Sequence, residues 1–506
     1  MKNPLLLLFF FLFGFGEMEA QYSNKVWCFG DSTGVIFTNP VSYFTISEAY
    51  LTASISIADL NNNLLFYGSS TNATAYNSSY SNRGKLINRN HIKMVNGDSL
   101  FCRGWYHDIL IVPKSVLDST FYVFVAGVSG PPYGLYYSLV DLKLQNGLGE
   151  VTQKNIQIDP SPMYDGLMAV KHGNGKNWWL VTRHFDNVSQ SYNNEFYVYL
   201  VDSLGISAMP VQTVGTMRNS NGGEISFNSD GTKIAVSDLG NLIELYDFDR
   251  CTGMISSPLN IELPSTTGPF KYYASACFSP NNRFLYVLSI LAIDEAYIYQ
   301  YDLQAPNIAA SKTQIGAIMD SASVAMMKLA PDGKIYIGAW ANLPGSGYPY
   351  TQGYYNVVNS NLTVINYPDS LGASSDFQLF SFSLGGHRTY RGLPHNPNYE
   401  MGAWVGSPCD TLTVGLTENE KNDVFFQAWY NSEWNMIHVN AAKLKGKSGV
   451  LSLFDVEGRV VVERKVDMIS GGYFTSEINM NGIVSGVYIV SLTTEKDQVQ
   501  GKVLKF

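Results

Sequence analysis

Between residues 25 and 405 the apolar positions fall in short runs, broken by Gly, Asn, Asp and Pro, with no sustained helical spacing. Three runs share one pattern: Phe227-Asn-Ser-Asp-Gly-Thr-Lys-Ile-Ala-Val-Ser237, Phe278-Ser-Pro-Asn-Asn-Arg-Phe-Leu-Tyr-Val-Leu288 and Leu329-Ala-Pro-Asp-Gly-Lys-Ile-Tyr-Ile-Gly338. Each has an apolar strand end, a turn rich in Asn, Asp or Gly, and an alternating strand, which predicts a tight hairpin. Weaker copies begin at Ile57, near Ile111 and at Val170. A second motif, a strand closing on Asp, recurs at Tyr137–Asp141, Tyr197–Asp202, Ile243–Asp247 and Ile298–Asp302 and reads as a later strand of the same unit. A period of about 50 residues with four short strands per unit is the pattern of a β-propeller. Six starts are visible. A seventh unit is expected from residues 350–405 joined by an N-terminal strand such as Val26–Gly30. The expectation is therefore an all-β chain with a seven-bladed propeller, six or eight blades being the alternatives.

Composition agrees with this. Of 506 residues, 15% are charged and 13% aromatic, and 45 are Gly, a balance that suits a turn-rich β protein with a large core rather than a long helical or a disordered one. A formal net charge of −9 gives no global attraction to nucleic acid. Lys2 followed by the apolar run Leu5–Phe15, with Ala20 before Gln21, reads as a Sec signal peptide over residues 1–20. No later segment has the length and apolarity of a transmembrane helix. Export permits disulfides, and there are five cysteines, so at least one is left over. Cys251 and Cys277 lie at strand ends of adjacent repeats and are the expected pair, two buried thiols being the other reading. No C-x-x-C occurs, and no metal or cofactor is expected.

The last stretch of chain differs from the repeats. Strand and turn signals at Gly449–Glu463, Ile483–Leu492 and Gly501–Phe506 suggest a small immunoglobulin-like β-sandwich. Three motifs stand in order: Leu453-Phe-Asp-Val-Glu-Gly-Arg459, Gly486-Val-Tyr488 and Lys502-Val-Leu-Lys505. On these residues the segment resembles the type A C-terminal sorting domain of the type IX secretion system of Bacteroidetes. It lacks the Asn-Pro pair with which that family usually opens. The resemblance implies passage through Sec and then the type IX machinery, to the cell surface or the medium, with Gly458, Arg459, Gly486, Tyr488, Lys502 and Lys505 as the signal. The repeats also resemble the propellers of many Bacteroidetes surface proteins, related to tryptophan-aspartate repeats, on Trp27–Gly30, Asn63–Tyr67, Phe248–Gly253, Phe278–Pro280 with Leu285-Tyr286, and Gly392–Pro394. The expected organisation is a signal peptide over 1–20, a propeller over 21–408, a linker over 409–423 and a sorting domain over 424–506.

Chemistry is harder to find. There is no phosphate loop, no dinucleotide fingerprint, no H-E-x-x-H and no G-x-S-x-G. Asp59-Leu-Asn-Asn-Asn63 lacks the Gly and Glu of a calcium loop and reads as a hairpin turn. His107 beside Asp108 suggests acid–base work, yet neighbours on a strand face opposite sides. His172 and His184 read as structural. Asp165, Glu224, Asp294 and Glu295 offer carboxylates with no reason to pair any two. Aromatic residues are the better lead: Trp105, Tyr106, His107, Trp340, Tyr348 and Tyr350 are the expected ligand-binding residues, whereas Trp178 and Trp179 read as core. The function expected is an exported binding protein that engages the secretion machinery and an extracellular ligand, a glycan, peptide or surface protein. The alternative is a polysaccharide hydrolase or lyase with its site in the propeller channel.

Overall fold

The structure is a computed structural model. It describes residues 22–505 apart from 48–52, 71–83, 115–118, 186–191, 264–271, 342–352, 411–424 and 468–473, and the shorter gaps 103, 105, 129–130, 219, 293–294, 320–321, 391, 432–433, 443, 447 and 456–457. The expected signal peptide, Trp105, Asp294, Tyr348 and Tyr350 lie outside the described residues. The chain divides into two compact units, residues 1–409 and 410–506. Among the described residues all regular structure is antiparallel strand and short 3₁₀ turn.

Among the described residues the first unit holds seven sheets of three to five strands. Their cores connect in a cycle. One apolar cluster joins the four sheets that start at Ser54, Ile109, Met168 and Gly223. Another joins the last of these to the sheet starting at Tyr272, and a third joins that one to the sheet starting at Ala322. Trp27, Phe29 and Val35 of the N-terminal sheet then pack on Met326 and Tyr336. The opposite face of that sheet, through Val26 and Cys28, packs on Ala58 and Tyr67. A closed cycle of twisted sheets, each meeting the next face to face, is a β-propeller; closure leaves no sheet face without a partner.

The hairpins explain the repeat. Gly231, Asn282 and Gly333 occupy the same place in the three clear copies, and all have positive φ. Each donates its backbone N–H to the carbonyl three residues earlier, on Asn228, Ser279 and Ala330. Asn62 and Gly175 do the same in two of the weaker copies. Only Gly and Asn enter this region readily, so the turn chemistry survives while the strands diverge. The Asp-ending motifs are the third strands of their sheets, at Gly134–Asp141, Asn193–Asp202, Leu242–Phe248 and Glu295–Asp302. The Asp59 loop is a hairpin turn, its carboxylate accepting the N–H groups of Asn61 and Asn63.

Burial follows position in the sheet. Ile109–Pro113 and the second strand Trp178–Arg183 are buried throughout. The outer strand Ile255–Glu262 is exposed at five consecutive positions. Inner strands are covered on both faces, so they read as continuous apolar runs and not as alternation.

Two expectations are corrected. Val26–Phe29 does not complete a sheet with residues 350–405. It pairs with Thr33–Ile36, which pairs with Ser42–Thr45, and the three make a sheet of their own. The hairpin Asn361–Ile365 with Phe377–Ser383 instead finishes the sheet begun at Ala322. The two chain ends meet through Tyr22–Ser23, added to Ser54–Asp59, and through single bridges from Arg388 to Asp31 and from Pro394 to Ser54. Nor is Cys251 bonded to Cys277. It is bonded to Cys409, assigned above to the linker, with the Cα atoms 5.3 Å apart. Cys277 sits inside the inner strand Tyr272–Phe278 and is a buried free thiol, as are Cys28 and Cys102. Cys251 lies in the turn after Leu242–Phe248, where the returning chain end brings Cys409 to it.

The second unit is a β-sandwich. Phe425–Asn431, Met436–Ala442 and Phe474–Asn479 form one sheet. Val460–Asp467, Ser448–Asp455, Gly486–Thr494 and Gln498–Lys505 form the other, in that order. Ile437, Val439, Leu451, Leu453, Val490 and Leu492 fill the space between them.

Candidate functional site

Residues 393–404 run across the inner strands of the ring. They have no regular structure and carry two prolines, so their backbone groups need partners from elsewhere. The inner strands supply them. His395 N–H donates to Ser54 O at 2.8 Å, and Ser56 N–H donates to the Asn396 side chain at 3.0 Å. Lys328 Nζ donates to Asn396 O at 2.9 Å and Lys171 Nζ to Tyr399 O at 3.3 Å. Tyr399 Oη donates to Ile111 O at 2.9 Å. Arg250 then holds Gly402 O at 2.6 Å, just before the Cys251–Cys409 bond. This plug touches strands from several sheets and ends in a covalent link.

Where the plug crosses the ring, three chemically active side chains converge. His107, Glu224 and His395 are 1%, 2% and 0% exposed. Their ligand-type atoms all lie within 4.8 Å of one another. His107 Nε2 is 3.7 Å from Glu224 Oε1, and the two imidazole centroids are 4.5 Å apart. His395 Nε2 donates to Leu167 O at 2.6 Å, which leaves its Nδ1 as a lone-pair atom without a partner. Neither ring nitrogen of His107 makes a hydrogen bond of good geometry, though the backbone of Gly223 and Asp165 lies beside the ring. Glu224 is held through Oε2, which accepts from Ser275 Oγ at 2.5 Å and from Ala276 N–H at 3.1 Å.

The electrostatics follow from burial. Loss of water pushes the Glu224 carboxyl up to about 7, against the opposing pull of Lys328. Loss of water, reinforced by Lys328, pulls His107 down to about 3. His395 is lowered for the same reason, with His107 adding to it. In both imidazoles burial favours the neutral form. Burial also lowers the Lys328 ammonium, while Glu224 and Cys277 draw it up. Beside the cluster is a cavity of about 260 Å³, whose wall includes Glu224, Lys328, Trp27, Asn396 and Met401.

A second buried pair shapes the approach. Asp165 accepts the backbone N–H groups of Tyr106 and His107 at 3.0 and 3.1 Å, and Asp108 accepts that of Gly104 at 2.6 Å. Burial and the charge of Asp165 push Asp108 up to about 7. Two carboxylates thus fix the loop that carries His107. His107 and Asp108 face different groups, as their adjacency requires.

Of the expected ligand-binding residues, His107 is wholly buried and presents no face to a ligand from solvent. Tyr106 packs against the cluster around Trp27 and Tyr336. Trp340 is half-buried, 5.6 Å from Tyr390. Trp178 and Trp179 are both buried, the first against Tyr399 and the second bonded to Arg250 O. His172 stacks on Trp179, while His184 bonds to Asp159 at 3.0 Å and stacks on Tyr197, so these two histidines have separate surroundings. Glu224 appeared in the sequence only as one carboxylate among several. His395 gave no signal, because a Pro-rich segment reads as a loop.

In the second unit the three terminal motifs take definite structural roles. Asp455 closes the hairpin, accepting Arg459 N–H at 3.0 Å and bonding its guanidinium at 2.7 Å, with Gly458 at φ +78° between them. Gly486 and Tyr488 open the strand that pairs with Gln498–Lys505, and Tyr488 Oη donates to Val484 O at 2.6 Å. Lys505 Nζ caps the carbonyls of Met480 and Ile483 at 2.8 and 2.5 Å. Lys502 is exposed on the edge strand. Residues 433–505 match the family described as the secretion system C-terminal sorting domain. The tail is a type IX sorting domain. It directs the chain through the type IX secretion system to the cell surface or beyond it. No curated protein matches the chain in sequence. Among solved structures the chain is similar to PorZ, titled an essential surface component of the type IX secretion system of Porphyromonas gingivalis, at 12% identity over 94% of this chain and 63% of that one (TM-score 0.31). It is similar to the periplasmic gluconolactonase of Pseudomonas aeruginosa at 12% identity over 79% and 96% (TM-score 0.34). A third is the Cps50 β-propeller domain of Myceliophteria thermophila, at 8% identity over 63% and 96% (TM-score 0.35).

Proposed function

We propose that the chain is an exported binding protein, a seven-bladed scaffold that presents its loops to a glycan, a peptide or another surface protein. Residues 1–20 would serve as its Sec signal and the sorting domain as its second address. The observation that carries this reading is the plug. With residues 393–404 bonded to the inner strands, the cavity beside Glu224, about 260 Å³, is smaller than the roughly 300–1,000 Å³ of ordinary ligand pockets. Such a site suits recognition by the loops and outer faces better than passage of a polymer along the axis. Trp105, Tyr106, Trp340, Tyr348 and Tyr350 are the proposed contacts.

One observation favours the alternative of a hydrolase or lyase. Glu224, poised near neutrality on the cavity wall, has the properties of a general acid. The mature chain, screened on glycan and protein arrays with release of reducing sugar in parallel, separates the two. Saturable binding without release supports the binding protein. Sugar release that disappears in Glu224→Gln overturns it.

A further inference from the structure

His107, Glu224 and His395 come from three distant parts of the chain and meet at the point where the plug crosses the ring. Two histidines and a carboxylate are a common protein donor set for zinc. We propose that these three side chains bind one divalent transition-metal ion, zinc foremost, which ties the plug to the inner wall of the propeller. Four features carry the proposal.

The first is the poor hydrogen bonding of the imidazole donors. Nδ1 of His395 is buried without a hydrogen bond, and the ring nitrogens of His107 make none of good geometry, the backbone of Gly223 and Asp165 and the Glu224 carboxylate lying beside them. Buried polar atoms normally find partners, so two neighbouring imidazoles each with a nitrogen poorly satisfied call for a ligand. The second is spacing. A tetrahedral ion with bonds of about 2.1 Å holds its donor atoms about 3.4 Å apart. The His107–Glu224 pair at 3.7 Å is within a small adjustment of that. The third is the outer shell. His395 gives its other nitrogen to Leu167 O, which fixes the tautomer with Nδ1 free to ligate. Glu224 is oriented by Ser275 and Ala276, so that Oε1 faces His107. Supporting bonds of this kind are what metal ligands carry. The fourth is access. Glu224 also lines the cavity, which places one of the three ligands at the border of open space.

Lys328 is the neighbouring cation. Its ammonium is directed to Asn396 O, on the plug backbone. The hard oxygen-rich sites that suit calcium or magnesium are a poor match for two imidazoles.

The test uses the untagged mature chain, equilibrated with Zn²⁺, desalted and assayed for metal by plasma mass spectrometry. The expected content is about one zinc per chain. Glu224→Gln and His395→Asn, each checked for folding by circular dichroism, should lower it at least about tenfold, while His184→Ala should leave it unchanged. Ser275→Ala, which removes only the outer-shell bond, should weaken zinc about tenfold. Loading the wild-type chain with Co²⁺ gives a readout that needs no variant: visible d–d bands of low-symmetry N/O ligation, removed by added Zn²⁺. A folded wild-type chain that retains less than about a tenth of an equivalent of zinc and shows only aqueous Co²⁺ bands overturns the proposal. So does undiminished zinc in folded Glu224→Gln and His395→Asn. These outcomes do not depend on whether the loops bind a glycan or a protein.

Discussion

Removing the Cys251–Cys409 bond tests how much the plug contributes to the ring. The two residues are 158 apart in sequence, and the loop between them contains two whole sheets. Closing a loop of that length in the unfolded chain corresponds to about 5 kcal/mol in the chain-entropy model. Native disulfides removed from folded proteins cost about 2–5 kcal/mol, so about 4 kcal/mol is the expected loss. For a unit of this size the unfolding entropy converts that into a Tm lower by about 5 °C. Packing adds a local effect, since both sulfurs rest against Gly173, where any side chain would collide with them. The assay is calorimetry on the mature chain and on the Cys251→Ser/Cys409→Ser double variant, both without reductant. Peptide mapping of the wild type should find Cys277 as a free thiol. A Tm within about 1 °C of wild type would mean that the hydrogen bonds of residues 393–404 hold the plug unaided. A peptide linking Cys251 to Cys277 would refute the topology itself.

Three further outcomes follow from named contacts. Asp159 is disfavoured as an anion by its burial, yet the bonds from His184 and Ser161 outweigh that and hold it down at about 2. A depressed carboxylate stabilises the fold above its unfolded pKa near 4 and loses that effect as pH falls toward 2; Asp159→Asn should therefore cost about 1 kcal/mol at pH 7, and the gap to wild type should close below pH 3 in denaturant titrations. Tyr399→Phe removes the buried bond to Ile111 O and should cost about 1–2 kcal/mol in urea unfolding, with the ring packing against Trp178 retained. Deleting residues 424–506 should leave the propeller folded in the periplasm, and finding the truncated chain on the cell surface by protease accessibility would contradict the role of the tail.

The repeat was legible because turn chemistry is local. Gly231, Asn282 and Gly333 adopt a backbone conformation closed to most residues, so evenly spaced Gly and Asn reveal the hairpins. Sorting motifs are legible for the same reason, since Asp455, Gly458 and Arg459 make one hairpin within five residues. The seventh sheet was misplaced. Val26–Phe29 is apolar enough to join several partners, and nothing in its residues prefers Thr33–Ile36 over a strand from the other end of the chain. The aromatic lead was misleading at His107 for a related reason: a ring in a loop reads as exposed, and only the carboxylate of Asp165 shows the loop turned inward.

By itself the sequence determined the strand-and-turn rhythm, the propeller class and the sorting tail, because each depends on residues that are neighbours in the chain. Tertiary structure alone decided which cysteines bond, that residues 393–404 cross the inner strands, and that His107, Glu224 and His395 meet. Those facts depend on residues 67 or more positions apart, brought together only once the ring has closed.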